Sequence, residues 1–482
     1  MRSRSGFLIA TFIAGWGFIA VAAIWQIQGR TSDSALALTS GTLLAASLIL
    51  SRYALGLAFT SGAMLYLSLF GLFHLGLVVP WALGVYDIAR MPFFAPYGLP
   101  RAIALITYSI VSYHLGMIIA SCTGPRSEKP FGDDASNLED PKIFLTGSLL
   151  FLGAVIAFVT GLIHLDPSGY HRLTYSDFFR LRTESDPRLF GTGITIAAIG
   201  LCLAAAGASR EWIRITLLGA CLWVLMLFYL GFRGPALIAG VVVYTVAKKK
   251  RVNFPKWLPW ATAAVLLIAI PIMRIAREEP LDERSLDVSM NGFNVLDGPA
   301  EMGASIRPLI EITGLVGPKN YRYGRTYLSA LKGIVPNLTL RWESPATESF
   351  DDLPPSHWLI AVVDPWTYRN NGGMGFSAVA EPYMNFGIVG VIGYFFLLGY
   401  LLVRLDRVSI HSPYALACWA LVLGPLLWTT RNDFANFFRP AVWGLCCLGL
   451  IWLVSRIRIS TTGPTSGRTL QIQRRVPQAG RI

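Results

Sequence analysis

The sequence predicts an all-α polytopic integral membrane protein with about twelve transmembrane helices and one large extracytoplasmic loop domain. Three observations carry this prediction. Hydrophobic residues make up 54% of the 482 positions and charged residues only 14%, with a mean hydropathy of +0.52, well outside the range of a soluble domain. Apolar runs of bilayer length recur along the chain, and a hydrocarbon core of about 30 Å takes about 20 such residues. The polar stretches between the runs alternate in charge.

In hydrocarbon the backbone must satisfy its own hydrogen bonds, so each run reads as a helix. In order they are Gly6–Gln26, Ala35–Leu50, Ala54–Val79, Ala102–Ser121, Ile143–Leu165, Phe190–Ala208, Trp212–Gly231, Pro235–Ala247, Trp257–Ala276, Ser377–Val403, Tyr414–Thr430 and Phe438–Val454. The second and eighth are short, leaving ten or eleven spans as an alternative. The first lacks a small-residue cleavage site and reads as a retained helix. With the N-terminus inside, the inner segments hold 21 Lys and Arg against 7 Asp and Glu, and the outer segments 20 against 21. Lys248–Arg251 and the basic tail then lie inside, as the positive-inside rule requires. The net charge of +13 is thus a topology signal, and no nucleic-acid partner is expected. Four parts follow: residues 1–276 with spans 1–9, a large loop domain at 277–376, spans 10–12 at 377–457, and a basic cytoplasmic tail at 458–482. Both termini are expected in the cytoplasm.

None of the six cysteines lies in the large loop, and none has zinc-type spacing, so neither disulfides nor a structural metal is expected there. Gly372-Gly373-Met374-Gly375 lacks the lysine and spacing of a nucleotide-binding loop and reads as a joint. No cofactor is expected, although a divalent metal is left open. Of the 20 outer cations 18 are arginine, whose planar fork matches phosphate oxygens.

The stretch Glu381-Pro382-Tyr383-Met384-Asn385 lies where the tenth run enters the membrane, where a carboxylate is costly unless solvated, paired or used. With Pro382 as the first helical residue, Glu381 would stand at the N-cap and Asn385 one turn on. A structural cap, or a pair with a nearby arginine, is the alternative for Glu381. Upstream, Gly231-Phe232-Arg233-Gly234-Pro235 reads as a tight outer hairpin with Arg233 at its tip. Arg274 and Arg277 share one helical face.

Gly375 to Gly390, Gly-Phe-Ser-Ala-Val-Ala-Glu-Pro-Tyr-Met-Asn-Phe-Gly-Ile-Val-Gly, resembles the signature of bacterial O-antigen and oligosaccharide repeat-unit polymerases of the Wzy type. Phe232-Arg233-Gly234-Pro235 and the segment Tyr323-Gly324-Arg325-Thr326-Tyr327-Leu328 resemble the same family. The resemblance implies a GT-C-like glycosyltransferase architecture in the bacterial inner membrane. It implies transfer of an undecaprenyl-diphosphate-linked glycan chain onto a lipid-linked repeat unit, alongside membrane lipids, a flippase and a chain-length-determining co-polymerase. The acceptor hydroxyl needs a base and the departing diphosphate needs cations. Glu381 is the expected base, with Asn385 orienting the acceptor. His357 competes for the role, because the similar O-antigen ligases use a histidine in their long loop. Arg233, Arg274, Arg277, Arg325, Arg431 and Arg439 are the expected diphosphate ligands, and Tyr383, Trp358 and Trp366 the expected sugar contacts. An O-antigen ligase, or a transporter or flippase of lipid-linked oligosaccharide, is the alternative function.

Overall fold

A computed structural model describes residues 32–90, 98–123, 138–165, 188–276, 294–334, 353–370 and 372–456. Seventeen α-helices lie within them, numbered here in chain order. They are α1 Asp33–Tyr53, α2 Gly62–Leu75, α3 Val78–Ala82, α4 Leu99–Thr123, α5 Pro141–Leu165, α6 Arg188–Gly207, α7 Trp212–Tyr229, α8 Arg233–Lys249, α9 Leu258–Ala276, α10 Asp297–Gly303, α11 Ile306–Leu315, α12 Arg325–Lys332, α13 Pro355–Val363, α14 Pro365–Arg369, α15 Ala380–Val408, α16 Pro413–Trp428 and α17 Phe434–Arg456. Every apolar run from the second to the twelfth carries a helix; the first lies outside the described residues. Among the described residues six helices (α1, α4, α5, α7, α15 and α17) are long and apolar enough to cross a membrane. The chain is a polytopic membrane protein.

Helix α4 is buried along most of its length and packs against α15. A β-carbon on Gly116 would overlap the carbonyl of Phe396, and one on Gly399 that of Tyr113. Lipid gives little hydrophobic drive between helices, so van der Waals contact of this closeness supplies the association. Tyr66, Phe70, Tyr113, Phe395 and Trp419 fill the interior around this pair.

One end of the bundle is organised by the buried carboxylate of Asp406. It accepts from the backbone N–H of Gly62 (2.8 Å) and Ala63 (3.1 Å), from Trp419 Nε1 (2.8 Å) and from Lys249 Nζ (3.3 Å). An acid at a helix N-terminus satisfies otherwise orphaned donors. The third run, read from sequence as one helix from Ala54 to Val79, has its helix start only at Gly62, with Ser61 as the N-cap accepting from Met64 N (3.3 Å) and Asp406 taking the first two donors. At the same end Arg407 donates to the carbonyls of Ala120 and Ser121.

The opposite end is capped by helices from the stretch between α9 and α15. Helix α11 buries Ile306, Leu309, Ile310 and Ile312 against α4 and α15, a face its period of about 3.6 residues aligns.

Helix α15 departs from the sequence expectation in two ways. It begins at Ala380, with Val379 in the cap position, so Glu381 is the second helical residue and not the N-cap. The chain turns early because Ser377 Oγ accepts from Val379 N (3.2 Å), its carbonyl accepts from Ala380 N (3.0 Å), and its hydroxyl meets buried His74 Nε2 (2.8 Å). The helix is then interrupted at Gly387 (φ 64°, ψ −150°). That backbone region is open essentially to glycine alone. A β-carbon there would also sit 2.5 Å from the Tyr321 hydroxyl oxygen. Gly387→Ala is expected to cost on the order of 1–3 kcal/mol in backbone strain and to push Tyr321 aside. Thermal unfolding in detergent should show a lowered midpoint; an unchanged midpoint would mean the break is incidental.

Candidate functional site: a cavity roofed on the α15 N-terminus

At the capped end lies a cavity of about 510 Å³ lined by Val316, Asn320, Tyr321, Arg322, Tyr323, Arg325 and Trp358. Its wall is the segment 321–325, and the fold of that segment is specified by α15. Arg322 N donates to the Met384 carbonyl (3.0 Å) and Tyr323 N to that of Asn385 (3.1 Å). Gly324 N donates to Asn385 Oδ1 (2.8 Å). Tyr323 and Gly324 are both left-handed (φ 46° and 87°). For tyrosine this costs roughly 1–2 kcal/mol, which the three consecutive bonds offset. The reversal starts α12 at Arg325 and leaves that side chain exposed on the cavity edge.

Beneath the wall sits Glu381, 4% exposed. Thr326 Oγ1 donates to its Oε1 (2.8 Å) and Phe434 N to its Oε2 (2.6 Å). Asn385 Nδ2 donates to Thr326 Oγ1 (2.7 Å) and to the Glu381 carbonyl (2.9 Å). A buried carboxylate is tolerated when bonded in this way. Glu381 thereby joins three separate elements: α12, α15 and the start of α17. Nearby Tyr327, its ring 5.1 Å from that of Phe434, has its hydroxyl pKa raised above the ordinary value, mainly by burial and then by Glu381. A second buried carboxylate, Asp433, accepts from Ser356 Oγ (2.5 Å) and from Asn436 Nδ2 (2.7 Å).

The expected site residues fall into distinct places. Arg325 and Trp358 line the cavity, and the Arg322 guanidinium lies 5.0 Å over the Trp358 ring, a cation–π geometry. Glu381 and Asn385 are buried behind the wall and do not line it. Tyr383 is also buried, with its hydroxyl bonded to Arg101 and its ring under that guanidinium (5.5 Å). His357 is exposed on α13, its ring edge-on to Tyr368, and Trp366 is 75% exposed on α14; neither lines the cavity. Arg439 Nε donates to the Gly333 carbonyl (2.6 Å) at the end of α12. Arg431 packs on Gly375, and its carbonyl accepts from Phe376 N (2.7 Å). Arg233 opens α8, but its side chain, the Arg274 side chain and all of Arg277 lie outside the described residues. Among the described residues no three His, Cys, Asp or Glu side chains gather as a metal-binding group.

Sequence reading did not single out Arg101, Arg322, Ser356 or Asp433. Arg101 stands at the start of the fourth apolar run, the same kind of position as Arg233 and Arg439. Asp433 is marked locally only as a cap before the twelfth run, and nothing local points to its pairing with Ser356, which spans 77 residues.

The chain matches the family model for O-antigen polysaccharide polymerase Wzy over residues 7–461. It belongs to this family. A curated relative, Protein CapE of Staphylococcus aureus, is 24% identical over 303 residues. That match covers 60% of this chain and spans 60% of the length of CapE. No solved structure matches.

In this Wzy-family chain the three stretches that carried the resemblance converge on one hairpin, residues 428–434. A β-carbon on Gly234 would overlap the ring of Trp428. Phe376 bonds Arg431, Glu381 bonds Phe434, and the Tyr327 ring lies against Phe434.

Proposed function

We propose that this chain is a polysaccharide polymerase. It moves a glycan chain en bloc from undecaprenyl diphosphate onto a lipid-linked repeat unit at the periplasmic face of the bacterial inner membrane. The observation that carries the reading is the cavity. It combines two guanidinium groups, Arg322 and Arg325, with the aromatic faces of Tyr321, Tyr323 and Trp358, at the end of a membrane bundle. Cations suit a lipid diphosphate and aromatic rings suit sugar faces.

In this reading the acceptor hydroxyl attacks the anomeric carbon, the bond from that carbon to the diphosphate oxygen breaks, and the proton passes to a base. Arg322 and Arg325 take the charge that develops on the leaving diphosphate. Of the two candidate bases, His357 is exposed, one residue from the cavity-lining Trp358 but outside the lining itself, so it serves only an acceptor bound at the α13 edge of the cavity. Glu381, engaged at both oxygens, holds the wall in place. Arg431, in the hairpin, and Arg439, on α17, are further phosphate contacts in this reading. A flippase would supply the repeat unit and a co-polymerase would set chain length.

The test is reconstitution of purified protein in nanodiscs with undecaprenyl-diphosphate-linked repeat unit, with and without chelator, the products being sized. A ladder that needs no core acceptor and survives the chelator is expected. Product only when a lipid A core acceptor is added would make the protein a ligase, and no product at all would overturn the enzyme reading.

A further inference from the structure

We propose that Asp433 is a positioning residue that closes the second wall of the cavity. The inference rests on the polymerase reading and deepens it. The cavity has two walls from distant parts of the chain: the segment 321–325, and α13 with Trp358. Glu381 pins the first through Thr326. The second is pinned by Asp433, fully buried at the start of α17. Its Oδ2 accepts from Ser356 Oγ (2.5 Å) and Ser356 N (3.3 Å), both in the first turn of α13, two residues before Trp358. Its Oδ1 accepts from Asn436 N (3.4 Å) and Nδ2 (2.7 Å), which caps α17.

Asp433 and Phe434 are adjacent in sequence, and Phe434 N is the second donor to Glu381. One dipeptide at the head of α17 therefore sets the spacing between the two walls. Releasing Ser356 frees Trp358 and, with it, the ring over which the Arg322 guanidinium is stacked. The consequence falls on substrate capture more than on the chemical step.

The bonds require an acceptor oxygen and not a charge. In Asp433→Asn the remaining oxygen can accept from Ser356. The new amide nitrogen would then face Asn436, whose side-chain amide can flip to present its oxygen; the longer bond from Asn436 N (3.4 Å) is lost, which weakens the α17 cap and not the hold on α13. Asp433→Ala removes every acceptor. Ser356→Ala removes one donor and leaves the α17 cap intact, which keeps the test open if the alanine variant at 433 does not fold.

The experiment combines hydrogen–deuterium exchange of full-length protein in nanodiscs with ladder kinetics on undecaprenyl-diphosphate-linked repeat unit. Asp433→Ala and Ser356→Ala are expected to speed exchange across residues 356–363 about tenfold, as for loss of one charge-assisted bond. They should raise KM for the repeat unit while kcat changes little, and Asp433→Asn should stay close to wild type in both. Unchanged exchange in Ser356→Ala would overturn the proposal. So would an Asp433→Asn as impaired as Asp433→Ala, because the charge and not the bond would then matter. A wild-type protein that forms no ladder would instead sink the polymerase reading, while the exchange data would still decide whether Asp433 holds α13.

Discussion

Arg325→Ala is expected to lower kcat/KM for ladder growth about 100- to 1,000-fold, the usual loss when one preorganised donor to developing charge is removed. The side chain is exposed at the cavity edge, and among the described residues it has no carboxylate partner. Within the described residues its charge is thus not spent on a protein acid, which leaves it to an anion. The same exposure means the fold gives up little: surface changes of this kind shift stability within about 0.5 kcal/mol, so the thermal midpoint should match wild type. Arg325→Lys keeps the charge but loses the planar fork, and should fall between the two. Ladder kinetics beside thermal unfolding decide the matter. An alanine variant with undiminished rate would remove Arg325 from the diphosphate site.

Glu381 should behave in the opposite manner, with alanine ruinous and glutamine mild. Glu381→Ala leaves Phe434 N–H and the Thr326 hydroxyl buried without their acceptor. At about 1–3 kcal/mol for each unsatisfied donor, the loss is on the order of 2–6 kcal/mol, concentrated where α12, α15 and α17 meet. A lowered midpoint and no ladder are expected. Glu381→Gln can aim its oxygen at Phe434 N and donate its amide to Thr326 Oγ1, whose second lone pair is open. Thr326 is the second residue of α12, ahead of any helical carbonyl it could bond, so its displaced proton costs about 1–3 kcal/mol and the glutamine variant is mildly destabilised. A folded protein within about tenfold of wild-type rate is expected. A folded glutamine variant as inactive as alanine would return Glu381 to the role of base, because a neutral amide cannot take the acceptor proton.

Much of the fold was legible in the chain because hydrocarbon imposes a one-dimensional constraint. Helices follow the second to twelfth apolar runs, and among the described residues six of them are long and apolar enough to cross a membrane. Boundaries set by contacts from elsewhere were not legible. Ser61 caps helix α2 locally, but the first donor of that helix goes to Asp406, 344 residues away. Helix α15 starts at Ala380 because Ser377 is held by His74.

The candidate site divides along the same line. Glu381 stood out because a carboxylate at a membrane entrance demands an explanation. Its partners, Thr326 and Phe434, are 55 and 53 residues distant in opposite directions, and no periodicity connects them. Arg325 and Trp358 are residue types suited to phosphate and sugar. That they share a cavity while Trp366 does not follows from the reversal at Tyr323 and Gly324 and from the anchoring of α13.

By itself the sequence determined the class of protein, the family, and the positions of the bilayer-length helices, because composition and apolar run length act locally along the chain. The tertiary structure alone decided which polar residues are buried supports and which face the cavity. A buried carboxylate is defined by the donors that reach it, and at Glu381 and Asp433 those donors arrive from elements that only the folded chain brings together.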